Sequence, residues 1–187
     1  PLLPLMDPRS RLRQLGQYDL GAWVEAATSR DLWNRQRQIA TAASKYRARV
    51  AVPSCNASGK TFLAARIALG FYDAYTPGTP CGYCDPTGTK GGCRGSKILT
   101  TSSKAEHLRD ALWSEMRMAY QELKDNGIVL PGVMARGQNL RLEDDPSHFI
   151  VGYSPNHAEG FQGFHAAHKL ILGDEATSED VAALRQR

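Results

Sequence analysis

The stretch Val50-Ala51-Val52-Pro53-Ser54-Cys55-Asn56-Ala57-Ser58-Gly59-Lys60-Thr61 decides how this chain reads. Arg49 to Val52 has the β-branched character of a buried strand, and Leu63, Ile67, Gly70 and Phe71 recur at helical spacing beyond it. Strand, loop, helix is the order that a phosphate-binding loop needs, and Gly59-Lys60-Thr61 matches the end of the pattern G-x-x-x-x-G-K-[ST]. In that pattern the backbone N–H groups turn inward on the phosphates, the lysine reaches the terminal phosphates and the hydroxyl sits on Mg²⁺. Ser54 stands where the pattern has its first glycine, at a steric cost if that position needs positive φ. The expected ATP-binding residues are thus Ser54, Cys55, Asn56, Ala57, Ser58, Gly59, Lys60 and Thr61.

A second signal lies downstream. Lys169-Leu170-Ile171-Leu172-Gly173-Asp174-Glu175-Ala176 is an apolar run ending in two carboxylates, the form of a Walker B strand. The chemistry needs one carboxylate to hold the hydration shell of Mg²⁺ and a neighbour to orient or deprotonate the attacking water. Asp174 fits the first role and, with Thr61, makes the expected Mg²⁺ site. Glu175 fits the second, so Glu175 and Lys60 are the candidate catalytic residues.

With 187 residues and 42% hydrophobic content, the chain has enough apolar material for one cored domain. The 23 basic against 19 acidic side chains give a mild positive excess, compatible with a phosphate-rich partner without naming one. No apolar run approaches a membrane span, and Pro1-Leu2-Leu3-Pro4 lacks the long apolar core of a signal peptide, so a soluble intracellular protein is expected. Pro1 to Gly16, with Arg9, Arg11 and Arg13, reads as an irregular arm, either solvated or an interaction segment, with nucleic-acid contact the lesser alternative. Leu20 to Ser44 reads as two short helices with a break near Ser29 to Asp31, so residues 1–30 form an arm and first helix ahead of a core over 31–187. In the second helix Gln36 offers a donor and an acceptor to an adenine edge, unless it simply belongs to a polar helix face.

The stretch 76–96 carries six of the 17 glycines and three of the 10 prolines, so it is an insertion and not a regular helix. Within it Cys81, Cys84 and Cys93 give C-x₂-C followed by a third thiol, a spacing that can chelate one tetrahedral Zn²⁺. The fourth ligand is open: His107, Asp85 or a group from another chain. The alternative is a surface hairpin with free thiols. His157, His165 and His168 lack an H-E-x-x-H arrangement and read as surface or hydrogen-bonded side chains.

Lys97 to Thr101 reads as a strand. Ser103 with Glu106 suggests a capping box, and Leu108, Leu112, Met116, Ala119 and Leu123 mark the buried stripe of a long helix that stops at Asn126-Gly127. Leu140 to Leu142 and His148 to Tyr153 are two further strands around a turn. Alternating strands and helices argue for an α/β fold: a P-loop NTPase core of ASCE/RecA-like type, with a mostly parallel central sheet and helices on both faces.

Together these segments resemble the large terminase subunits of tailed double-stranded DNA bacteriophages, the ATPases that drive genome packaging. The likeness spans most of residues 30–178. It rests on Trp33 and Gln36, on SCNASGKT at 54–61, on TTSSKAEHLRDALWSEM at 100–116 and on EGFQGFHAAHKLILGDEA at 159–176. The resemblance implies that Trp33 and Gln36 face the adenine, Lys60 and Thr61 bind phosphate and Mg²⁺, Asp174 holds the metal and Glu175 is the catalytic carboxylate. It also implies double-stranded DNA, a portal protein and a small terminase subunit as partners. The working form would be a homo-oligomeric ring in the host cytoplasm, transiently on the procapsid.

There are departures. Ala57 stands where many terminases carry an arginine, so charge on the transferring phosphate would be met by an arginine from a neighbouring subunit, with Arg136 and Arg141 as candidates and Arg109 behind them. Gly173 replaces the usual apolar residue before the Walker B aspartate. The family continues past Walker B into further core and a nuclease domain, so the chain reads as an N-terminal part without the nuclease; Thr177-Ser178-Glu179-Asp180 reads as the start of a new helix, and an unfilled sheet edge or missing central strands are expected. Two other readings stay open: a helicase-like DNA translocase, and a non-catalytic nucleic-acid-binding module with a structural P-loop.

Overall fold

A computed structural model of the chain describes residues 6–53, 58–143, 145–153 and 165–175. Its helices are α1 (Pro8–Tyr18), α2 (Leu20–Thr28), α3 (Asn34–Ala43) and α4 (Lys60–Ala74), followed by α5 (Ala105–His107), which runs through a π-helical turn (Leu108–Leu112) into α6 (Trp113–Asp125). Its strands are β1 (Ser96–Ser102), β2 (Val133–Met134), β3 (Asn139–Arg141), β4 (Phe149–Tyr153) and β5 (His168–Asp174).

The first correction is at the start of the chain, where the expected irregular arm is largely helix. Asp7 accepts the backbone N–H groups of Arg9 and Ser10 at 3.0 and 3.1 Å, and Pro8 occupies the first turn, where a missing N–H has no cost. Arg9 and Arg13 are not solvated contacts for a partner; both reach Asp73 on α4. Asp73 also accepts Trp23 Nε1–H at 3.1 Å, so one buried carboxylate gathers α1, α2 and α4. An added Cβ at Gly70 would meet Trp23 Cε3 at 2.7 Å, so glycine is what lets the indole lie on α4.

The two helices expected between Leu20 and Ser44 form, and the break between them begins at Ser29, which is left-handed at φ 55. The stripe Leu108, Leu112, Met116, Ala119 and Leu123 is buried as its spacing requires, and Asn126 caps the helix ahead of Gly127 at φ 77. The capping box is absent: α5 begins after Lys104, with no side-chain cap. Arg66, on α4, is buried between Glu115 and Glu122 of α6, each at 2.7 Å, and Glu122 also pairs with Arg30.

The sheet has the order β2-β3-β4-β1-β5. Pairs β1/β4 and β1/β5 are parallel, whereas β2/β3 and β3/β4 are antiparallel. The sheet is therefore mixed and not mostly parallel, because the short link from β3 to β4 returns as a hairpin, which leaves no room for a crossover helix. The helices meet the face that carries Ile98, Leu140, Ile150, Leu170 and Leu172. Leu99, Phe149 and Val151, of opposite parity, form a separate small cluster with Tyr153 and Ile171, so among the described residues the expected second helical layer is not seen.

The strand expected at Arg49 to Val52 does not form. These residues are mostly exposed and unpaired with the sheet, since β-branched alternation yields a strand only where a partner edge accepts its hydrogen bonds. Among the described residues β5 is an edge strand, with β1 as its one neighbour in the sheet. No helix among them is long and apolar enough to cross a membrane.

His148 shows how polar atoms enter the core. Its Nδ1 accepts the Ser96 N–H at 3.1 Å, its ring stacks on Tyr72 at 3.8 Å, and burial pushes its pKa down to about 4. Protonation would break the Ser96 bond. Because the folded value lies below the unfolded value of about 6.5, the neutral ring favours the folded state above that pH, and this contribution fades toward pH 4. We expect acid titration to lower stability by about 2–3 kcal/mol over that window and His148→Gln to flatten this slope, read from urea midpoints at successive pH values.

Candidate nucleotide-phosphate site and cysteine–histidine cluster

The start of α4 and the end of β5 meet across the sheet. Thr61, in the first turn of α4, donates its hydroxyl to Asp174 Oδ2 at 3.0 Å, joining residues 113 positions apart. Ser58, Gly59, Lys60, Thr61, Phe62, Asp174 and Glu175 line a cavity of about 280 Å³. That size suits a chain of phosphates and falls just short of the range of about 300–1,000 Å³ usual for whole ligands. The opening lies at the N-terminus of a fifteen-residue helix, an end whose first-turn N–H groups and dipole favour an anion.

Gly59 is held at φ 74, a conformation that suits glycine, and a Cβ there would come within 2.7 Å of Gln36 Nε2. The same close approach puts Gln36, nearly buried on α3, beside the loop, while Trp33 at the N-cap of α3 leaves 53% of its surface exposed. Of the two residues expected on the adenine side, Gln36 therefore neighbours the cavity's wall, and Trp33 is half exposed at the start of the same helix. Glu175 has φ 53, and His107 Nδ1 donates to its Oε2 at 2.7 Å. Reading the sequence did not pair these two residues.

The second cluster lies at the other end of β5. Cys81, Cys84, Cys93 and His168 bring three Sγ atoms and a ring nitrogen within 4.8 Å of one another. His168 Nε2 is 3.3 Å from Cys81 Sγ and 3.2 Å from Cys84 Sγ, and the three cysteines are not disulfide-bonded. Burial lowers the His168 pKa to about 4, so its ring is neutral at pH 7, and burial pushes the Cys93 thiol upward. A soft, nitrogen-and-sulfur set of this kind could hold a metal such as zinc.

No family model, curated protein or solved structure matches the chain. The chemistry of the two sites therefore rests on the residues themselves.

Of the groups expected as the fourth ligand, neither His107 nor Asp85 joins the cysteines. His107 is engaged by Glu175, and Asp85 is consumed by the backbone N–H groups of Thr89, Lys90 and Gly92 at 2.7–3.0 Å. His168, expected at the surface or in an ordinary hydrogen bond, joins the cysteines instead. The only spacing signal for it was its place as first residue of an apolar strand; its 87-residue separation from Cys81 hid the contact.

Ser54, Cys55, Asn56 and Ala57, the helix expected from Thr177, and the Gly-rich run with His157 lie outside the described residues. Arg136 and Arg141 are exposed on the side of the sheet away from β5, with Arg141 over the Phe149 ring at 5.0 Å, and neither reaches its own chain's cavity. Arg109 is paired with Asp110 on the surface.

Proposed function

We propose that this chain is the ATPase portion of a viral genome-packaging motor of the large-terminase kind, coupling ATP hydrolysis to movement of double-stranded DNA into a procapsid. The observation that carries the ATPase reading is the Thr61–Asp174 hydrogen bond beside Glu175, in a cavity lined also by Gly59 and Lys60. A hydroxyl and a carboxylate converging at a helix N-terminus form the donor set that a hydrated Mg²⁺ takes, and the glycine at positive φ ahead of the helix leaves room for Gln36 beside the loop. When bound, Mg²⁺ neutralises charge on the phosphates.

The chain's own residues divide the remaining work. Lys60 and the first N–H groups of α4 bind and orient the phosphates, Gln36 and Trp33 flank the base side, and Thr61 with Asp174 fixes the metal. Glu175 takes the proton of the attacking water, and His107 holds that carboxylate until it is used. The resemblance in the motif segments supplies the DNA-packaging part of the reading, with portal protein, small terminase subunit and a ring of identical subunits as partners.

The arginine missing at Ala57 makes the ring part of the chemistry. An arginine donated between subunits contributes about 10³ to 10⁵ in rate in other NTPases. ATP hydrolysis per subunit is accordingly expected to rise with protein concentration. Mg²⁺-dependent ATP binding with flat, negligible turnover would favour the binding-module reading, and absence of ATP binding would remove the P-loop reading.

A further inference from the structure

We propose that Cys81, Cys84, Cys93 and His168 form a closed structural zinc site that staples the glycine-rich insertion to the far ends of α4 and β5. The proposal goes beyond the ATPase reading and does not depend on it.

Four protein ligands fill a tetrahedral shell and leave no position for water or substrate, which marks a structural site and not a catalytic one. The ligand set is already gathered. The Cys84 N–H points at Cys81 Sγ at 3.4 Å, the backbone turn that lets a C-x₂-C pair present both sulfurs to one ion. Two backbone bonds, Gly78 N–H to Cys93 O at 2.9 Å and Cys93 N–H to Thr79 O at 2.7 Å, bring the third cysteine back to the first two. Asp85 braces the intervening loop through its three backbone acceptor contacts. Cys81, Cys93 and His168 are buried, and the His168 ring is held by a face of Tyr75 at 3.8 Å and an edge of Tyr83 at 5.6 Å. Three thiols and an imidazole packed together without disulfides have a common explanation in a soft cation that draws the protons off the sulfurs.

The position of the cluster gives the ion its task. Tyr75 is the C-cap of α4, the helix that begins at Lys60, and His168 opens β5, the strand that ends at Asp174. Fourteen steps of helix span about 21 Å, and six steps of strand about 20 Å. Helix and strand therefore run side by side between two fastenings: the Thr61–Asp174 bond at one end, the cysteine–histidine cluster at the other. A segment as rich in glycine as 76–96 has little apolar material of its own, and a metal supplies what its core cannot.

The test is elemental analysis of the chain purified without chelators, with Co²⁺ substitution of the same protein. Zinc near one equivalent per chain is expected, retained in His168→Cys and lost in Cys84→Ser and His168→Ala. Co²⁺ is expected to give the intense visible bands of a tetrahedral site with thiolate charge transfer, and chelation to lower Tm by more than about 5 °C. Should the loss variants fail to fold, the wild-type cobalt spectrum decides alone. Zinc-free protein whose Tm does not respond to added Zn²⁺, an octahedral cobalt spectrum, or zinc that survives His168→Ala would each overturn the site.

Discussion

Glu175→Gln is expected to keep Mg²⁺-dependent ATP binding and lose turnover by about 10²- to 10⁴-fold, the usual weight of a positioned general base. The amide is nearly isosteric and its oxygen can still accept from His107 Nδ1, so the lining of the cavity changes little while the proton acceptor disappears. Lys60→Ala acts on the other half of the site. It removes the side chain proposed to meet the phosphates at the start of α4, and nucleotide binding itself is expected to fail. Calorimetric binding and steady-state hydrolysis on the two variants separate a lost base from a lost binding group. Equal loss of binding in both would contradict the assigned roles.

Asp73→Ala is expected to destabilise the fold by about 3 kcal/mol, read as a lower urea midpoint at unchanged slope. The carboxylate has 0% side-chain exposure and takes Arg9 Nη1 at 2.7 Å, Arg13 Nε at 3.4 Å and the Trp23 indole N–H. Its removal leaves the indole donor without an acceptor in the core, whereas both arginines are about one quarter exposed and can turn to water, which keeps the loss at the low end for a broken buried pair. Arg9→Ala, which leaves Arg13 and Trp23 in place, is expected to have a smaller effect. A loss below about 1 kcal/mol in Asp73→Ala would show that α1 and α2 are held to α4 by apolar packing alone.

What could be read in advance depended on the range of each interaction. The stripe on α6, the strands β1, β4 and β5 and the stop at Asn126-Gly127 are set within a few residues by period and cap chemistry, and all form. The Thr61–Asp174 meeting was legible despite its separation because both ends carry strong local patterns. The segment 49–52 misled because a period-two pattern states a preference, and a strand exists only beside an edge that receives it. The helix at Pro8 had a readable signal, Asp7-Pro8 at cap and first turn, outweighed by the apparent solvation of its arginines. Their acceptor lies more than fifty residues away on α4. By sequence His107 was the candidate for the sulfur cluster and His168 a surface or hydrogen-bonded side chain; the fold sends His168 to sulfur and His107 to a carboxylate.

The pairing of α4 with α6 has a consequence for work at high ionic strength. Arg66 is 4% exposed and its partners Glu115 and Glu122 are 20% and 16% exposed, so mobile ions have little access to the charges that join these helices. Contacts to a nucleic-acid backbone behave oppositely, weakening steeply as counterions compete for the phosphates. Were the proposed DNA partner bound, a wash in concentrated salt is expected to strip it and to leave the helix pair standing, so that loss of binding in salt and its return on dilution would report on the partner and not on this ion-pair cluster.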